Sequence, residues 1–399
     1  MLPAKNFTFH SPTKIIFGAK TIQELKNQIN QKAKVLMIYG SGSIKKNGVY
    51  DQVKDSLRNH NVLEFSGITP NPRYETAIKA VEICKKENID FLLAVGGGSV
   101  IDATKFISIA SKYPGKDPWD IMPHKNNKST NLFQPTEAIP IGTVLTIPAT
   151  GSEMNAGYVI TRESTKEKLT RIDQLVFPKF SILDPETSYS LPKRQTINGI
   201  VDSFVHVTEQ YLTTFRNTKI SDRFAEGVID TLISEAPIVL KNPKDYSARA
   251  NIMWASTMAL NKLIACGIDN DGATHTIGRE ITAMNDSDHA KTLAAVIKGV
   301  FIYKKQQKMK KLVLMAERIY GKKEGTDEEK ADFAISETIK FFNSIGMKTT
   351  LSSVGIKKEN FQEILDRIET SIKIMGFGLG EHRDIYKDDV LKILELCDP

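Results

Sequence analysis

Through the first half of the chain, short unbroken apolar runs alternate with stretches whose apolar residues recur at helical spacing. The clearest runs are residues 35–39 (VLMIY), 91–95 (FLLAV) and 143–147 (TVLTI), which read as strands. Residues 73–87 carry the helical pattern between the first two. Strands that are apolar on both faces and separated by helices imply a parallel sheet covered on both sides. Beyond Pro192 the strand patterns stop, and helical patterns cover residues 194–213, 220–240, 247–266, 289–307 and 327–344. Pro237 and the NPKD stretch that begins at Asn242 punctuate them, as loops or helix ends do. Two prolines and several turn residues interrupt the pattern over residues 183–192 (LDPETSYSLP). The expected architecture is an α/β domain over residues 1–190, then an all-helical domain over residues 191–399.

At 399 residues the chain suits two domains, and 41% apolar with 25% charged residues is ordinary for a globular protein. No stretch approaches the roughly 18–20 consecutive apolar residues that a membrane-spanning helix needs. The first residues (MLPAKNFTFHSPTK) lack the apolar core of an export signal. Cys84, Cys266 and Cys397 lie far apart and form no CxxC pair. That usage argues for a reducing, cytoplasmic setting and against a thiolate zinc site. The net charge of +7 comes from 54 basic and 47 acidic residues spread along the chain. A nucleic-acid binder would concentrate them on a stripe with interleaved aromatics. The densest basic run, KKQQKMKK at residues 304–311, reads as a helix end or a solvated face, as does the pair Lys322 and Lys323. Neither nucleic acid nor a membrane is an expected partner.

Three loops after expected strands carry candidate chemistry. The run at residues 35–39 leads into Gly40, Ser41, Gly42 and Ser43. Glycines between a strand and a helix let backbone amides approach a phosphate, but Lys45 holds the third glycine position of GxGxxG. A plain tight turn explains this loop equally well. The second loop, Gly96, Gly97, Gly98 and Ser99, is the stronger one. Three consecutive glycines are costly to order and point to close approach by a ligand, here a pyrophosphate. Ser99 and Asp102 have the spacing of a helix N-cap and its partner three residues on. The third loop, residues 146–153 (TIPATGSE), gathers hydroxyls beside a glycine. Loops after parallel strands converge on the carboxyl edge of a sheet, and three of them favour a dinucleotide.

The helical half holds three of the chain's seven histidines in notable places. Asp202 and His206 are four residues apart and share a helix face. His275 and His289 follow farther on. One carboxylate and three imidazoles make a good Fe(II) or Zn(II) donor set with an open position. Spacing alone leaves the bland readings open: an ordinary Asp–His pair and histidines satisfied in a helical core.

Taken together, GGGSVIDATK (residues 96–105), PATGSEMN (148–155), NGIVDSFVHVTEQY (198–211) and DGATHTIGREITAMNDSDHA (271–290) resemble the iron-containing alcohol dehydrogenase family. More narrowly, they look like its NADPH-dependent butanol dehydrogenase and broad aldehyde reductase branch. The resemblance runs from FHSPTKIIFG (9–18) to GFGLGEHRDIYKDDVLKILELC (376–397). It implies a Rossmann-like sheet domain and a helical domain in the dehydroquinate-synthase-like arrangement, with the active site in the cleft between them and a homodimer as the assembly. It further implies NADP(H) and one divalent metal, Fe(II) or Zn(II), held by Asp202, His206, His275 and His289, through which catalysis runs. Cofactor contacts fall on Gly40, Ser41, Gly42, Ser43, Asn71, Gly97, Gly98, Ser99, Asp102, Thr146, Asn155 and Lys168. Thr187 matches a further cofactor-contact position, where many members carry leucine. Many members also carry a histidine four residues after the third ligand, read as a proton relay, and Arg279 stands there in this chain. A guanidinium does not titrate near neutral pH. Arg279 could hold an acidic group of substrate or cofactor, or pair with Glu280 or Asp271.

The expected function is hydride transfer between NADP(H) and an aldehyde or primary alcohol, with NADPH preferred because Gly40 offers no carboxylate to repel a 2′-phosphate. One rival is a dehydroquinate-synthase-type lyase, which would need several Lys and Arg residues near the metal. The residues around the ligands are instead small and apolar (Ile200, Val201, Phe204, Val205, Ala273, Ile277). The other rival is a non-enzymatic anion-binding protein on the same fold.

Overall fold

The computed structural model describes residues 2–124 and 132–397. Two units form. One gathers His10–Pro192 and Asn242–Thr257; the other gathers Lys193–Lys241, the residues from Met258 onward and those before His10. The main division therefore falls close to residue 190, but a short segment on each side belongs with the other unit.

In the first unit the described elements are β1 (Lys14–Phe17), β2 (Lys34–Tyr39), α1 (Ser43–Lys46), α2 (Val49–Ser56), β3 (Asn61–Phe65), α3 (Tyr74–Glu87), β4 (Phe91–Gly97), α4 (Gly98–Ala110), β5 (Ile141–Ile147), β6 (Gly157–Arg162), β7 (Glu167–Ile172) and β8 (Phe180–Leu183). Six strands make one parallel sheet in the order β1-β8-β5-β4-β2-β3, and β6 pairs antiparallel with β7. Residues of β2 alternate between two apolar cores, as the strand period requires. Val35, Met37 and Tyr39 join Val53 and Val95, whereas Leu36 and Ile38 join Ala80, Ile101 and Phe106. The expected strands coincide with β2, β4 and β5. The chain winds outward from β2 to β3, then crosses back to place β4 on the other side of β2. The carboxyl end of such a reversal is where open α/β sheets bind ligands.

The second half supplies α5 (Lys193–Tyr211), α6 (Lys219–Lys241), α7 (Tyr246–Ala259), α8 (Ala273–Asn285), α9 (His289–Tyr303), α10 (Lys305–Arg318), α11 (Asp327–Ser344), α12 (Phe361–Met375) and α13 (Lys387–Cys397). No strand occurs among its described residues. The core is built at helical spacing: Ala273, Ile277 and Ile281 of α8 pack with Val296 and Val300 of α9 and with Ile364, Ile368 and Ile393. The α11 boundaries match the expected helix, and a capping box between Thr326 and Glu329 starts it. No helix among the described residues is long and apolar enough to cross a membrane.

Four local expectations are corrected. Pro237 does not end a helix: α6 runs on to Lys241 with the proline inside its last turns, at the cost of one backbone hydrogen bond. The helix expected at 247–266 stops at Ala259. The one expected at 289–307 breaks at Lys304, between α9 and α10. The KKQQKMKK run is no solvated face either, since Lys304, Lys308 and Lys311 are buried and ion-paired. Lys304 Nζ is 2.7 Å from Asp384, Lys308 Nζ lies 2.6 Å from Asp271 and 2.9 Å from Glu381, and Lys311 bonds Asp222. Carboxylates from other segments compensate the desolvation that a charge pattern alone cannot foresee.

Candidate metal centre and cofactor loops

Asp202 and His206 sit one turn apart on α5, His275 is in the first turn of α8, and His289 opens α9. Packing brings all four together. Asp202 Oδ1 lies 3.5, 3.7 and 3.9 Å from the Nε2 atoms of His206, His275 and His289. Ligand atoms of Asp202, His275 and His289 all fall within 4.8 Å of one another. The His206 and His275 rings stack with centroids 4.1 Å apart. The side chains become more accessible in order, from 6% for Asp202 through 12% and 20% to 30% for His289, so the cluster opens on the His289 side.

Among the described residues, Asp202 Oδ1 and His275 Nε2 are buried without a hydrogen-bond partner. Such a group costs about 1–3 kcal/mol. The mutually close atoms of Asp202, His275 and His289, with His206 Nε2 beside the same carboxylate oxygen, are a donor set that a divalent cation matches, and Fe(II) and Zn(II) both suit it. Crowding shifts these groups in different directions. Burial opposes charge on Asp202, yet the imidazoles of His206, His275 and His289 hold its carboxyl far below the usual range. Burial, the adjacent His275 and the charge of Lys262 push His206 down to about 3, keeping it neutral. Burial would also lower His275, but the Glu209 and Asp202 carboxylates outweigh it and raise it to about 10.

The residues Ile200, Val201, Phe204, Val205, Ala273 and Ile277 are fully buried in the packed interior. Of the roles open to Arg279, pairing with Glu280 is the one seen, with Nη2 3.6 Å from Oε1. Asp271 is instead held by Lys308. Glu209 is the neighbour that the motif reading leaves out. It lies on the ligand face of α5, seven residues after Asp202, and that spacing is the signal that finds it.

At the sheet, the three loops leave adjacent strands, since β2, β4 and β5 are neighbours. Gly40, Ser41, Gly42 and Ser43 follow β2, and α1 behind them is a single turn. Gly97, Gly98 and Ser99 join β4 to α4, whose N-terminus has no side-chain cap, leaving backbone N–H groups for an anion. Ser99 is therefore not an N-cap, and Asp102 is not its partner. Asp102 turns to the third loop, accepting from Ser152 Oγ at 2.6 Å and from the Val159 N–H at 2.9 Å.

The glycines also answer to their own neighbours. A Cβ on Gly96 would meet Val100 at 2.5 Å, one on Gly97 would meet Ile147 at 2.8 Å, and one on Gly98 would meet Thr150 at 2.5 Å. Internal packing alone thus demands glycine at all three. Lys105 of α4 is buried and ties the third loop down, donating to Ser152 Oγ, the Asn155 carbonyl and the Gly157 carbonyl, each at 2.8 Å. Asn155 donates to the Gly151 carbonyl at 2.9 Å. Thr146 is buried near the end of β5, and the Thr187 hydroxyl donates to the carbonyls of Leu145 and Asp184. The unexpected β6–β7 hairpin carries Lys168, whose Nζ donates to Asn71 Oδ1 at 2.8 Å, so these two candidates do meet. Lys45 Nζ lies over the Tyr50 and Tyr39 rings, 4.8 and 5.4 Å from their centroids.

Known proteins resemble the chain along its whole length. The family model described as iron-containing alcohol dehydrogenase matches residues 12–185, and the C-terminal model of the Fe-containing alcohol dehydrogenase family matches residues 196–396. The chain is 47% identical to NADPH-dependent aldehyde reductase YqhD of Escherichia coli, over 98% of this chain and 99% of that protein. It is 42% identical to NADP-dependent alcohol dehydrogenase 3 of Entamoeba histolytica, over 98% of both. The crystal structure of NADH-dependent butanol dehydrogenase A from Thermotoga maritima, 38% identical, matches with a TM-score of 0.94 and full coverage of both chains.

Proposed function

The chain belongs to the iron-containing alcohol dehydrogenase family, and from that premise we propose that it is an NADP(H)-dependent aldehyde reductase and alcohol dehydrogenase. The observation that carries the reading is the buried, unbonded pair Asp202 Oδ1 and His275 Nε2 within a ring of imidazoles. Asp202, His206, His275 and His289 would hold one divalent ion, Fe(II) or Zn(II). When bound, that ion supplies Lewis acidity toward a carbonyl oxygen and the nicotinamide supplies hydride.

The chain's own residues then bind and orient. Asp202 offsets one of the ion's two charges. The uncapped start of α4 faces the carboxyl edge where a pyrophosphate would sit, and the Lys168–Asn71 pair offers a cationic donor there. Arg279 pairs with Glu280 and moves no proton, so the final proton comes from water, a ribose hydroxyl or another group not yet assigned. NADPH is the preferred cofactor because Gly40 brings no carboxylate, and Ser41, Ser43 and Lys46 stay exposed to meet a 2′-phosphate. Lys45 is committed to the two tyrosine rings.

Metal analysis of the purified protein, followed by NADPH and NADH oxidation with a panel of small aldehydes, tests the reading. One equivalent of iron or zinc with aldehyde-dependent NADPH oxidation is expected. Protein without a divalent metal, or inert with every aldehyde after reloading, would overturn it.

A further inference from the structure

The α5 face that presents Asp202 and His206 continues to Glu209, a carboxylate only 8% exposed. Both of its oxygens go to a single residue. Oε1 accepts the backbone N–H of His275 at 2.9 Å, and Oε2 lies 2.5 Å from His275 Nδ1. The Glu209 carbonyl accepts the N–H of Asp271 at 3.0 Å, just ahead of α8. The first N–H groups of a helix lack intrahelical partners, and the residue preceding α8 is Gly272, which has no side chain to cap them. A carboxylate from α5 therefore does what a cap would do, and its charge sits favourably at the positive end of α8.

The consequence lies at the opposite ring nitrogen. The carboxylate oxygen accepts and the ring nitrogen donates across the 2.5 Å contact, so His275 carries a proton on Nδ1. Nε2 is then the nitrogen left facing the cluster, 3.7 Å from Asp202 Oδ1.

We propose that Glu209 is the positioning residue of this centre: it fixes the tautomer and direction of His275 and thereby sets how tightly the cluster binds its metal. The proposal rests on the metal reading above. It predicts an unusual sensitivity to one atom. In Glu209→Gln, the amide oxygen can still accept the backbone N–H, but the amide nitrogen facing Nδ1 is a donor. His275 then accepts at Nδ1 and carries its proton on Nε2, where a metal would bind.

The experiment strips the purified enzyme with a chelator and titrates it with Zn2+ against a chromophoric competitor, for the unmodified protein, Glu209→Gln, Glu209→Ala and His275→Ala. Unmodified protein should bind one equivalent and His275→Ala should lose that site. Glu209→Gln should bind roughly 10–100-fold more weakly, the range seen when partners of metal-bound histidines are removed. Thermal unfolding of the metal-free Gln variant should stay close to that of unmodified protein, and the visible spectrum of its Co2+ form should change. Zn2+ affinity equal to that of unmodified protein in Glu209→Gln would overturn the proposal, as would lowered metal-free stability with unaltered affinity. If unmodified protein bound no Zn2+, the metal reading itself would fall. Should Glu209→Ala not fold, the Gln variant still decides the matter.

Discussion

At the donor cluster, Asp202 Oδ1 and His275 Nε2 are buried and have no hydrogen-bond partner among the described residues. At the sheet edge, Asp102, Lys105, Ser152 and Asn155 bond one another, and the glycines between them are held by Val100, Ile147 and Thr150. Both regions come from segments distant in sequence. One leaves buried polar atoms without a hydrogen-bond partner, which is costly. The other is cross-linked by its own side chains, whose bonds hold the loops in place. Unsatisfied atoms therefore point to chemistry more directly than glycine-rich loops do, whose composition serves packing whether or not a phosphate arrives.

The sharpest way to break this contrast is His275→Ala. It should remove the metal and lower kcat/KM for aldehyde by more than about a thousandfold, equivalent to about 4 kcal/mol, while NADPH affinity stays unchanged. Metal analysis, steady-state rates and fluorescence titration of NADPH read the three quantities. Retained metal with full turnover would remove His275 from the centre.

Lys105→Met attacks the other side. Taking the cation from a buried site with acceptors from Ser152, Asn155 and Gly157 should cost about 3 kcal/mol. The unfolding midpoint should drop and NADPH should bind more weakly, with metal content intact. An unaltered midpoint and affinity would show that the network does not hold the third loop.

Gly98 separates packing from ligand approach. Gly98→Ala should destabilise by about 1–3 kcal/mol through the clash with Thr150. Adding Thr150→Ala removes the atoms nearest that Cβ and should restore thermal stability, while NADPH binding remains weak. If affinity returned together with stability, Gly98 would serve packing alone.

The smallest expected effect is on cofactor choice. Gly40→Asp should shift the ratio of kcat/KM for NADPH over NADH by about tenfold toward NADH, or about 1.4 kcal/mol. A Cβ there meets the Ile68 carbonyl at 3.2 Å, so the loop must give slightly. Equal efficiency with both cofactors in the unmodified enzyme would mean that the loop admits either.

Much of this was readable along the chain because it depends on near neighbours. Apolar runs set β2, β4 and β5, turn residues set the loops behind them, and the Thr326–Glu329 pair starts α11 where the helical pattern begins. Asp202 and His206 share a face for the same reason: four residues make about one turn. Edge strands β1 and β3 and the half-exposed β6–β7 hairpin escaped because their patterns are short and mixed. The family resemblance supplied His275 and His289, but no spacing rule joins them to Asp202. That convergence belongs to the packing of α8 and α9 with α5. Tertiary structure likewise decided that Lys304, Lys308 and Lys311 are buried, that Asp102 serves the third loop, and that Glu209 holds His275. Each of these depends on which distant carboxylate or backbone group compensates a desolvated one, and local periodicity carries no record of partners brought together only when the chain folds.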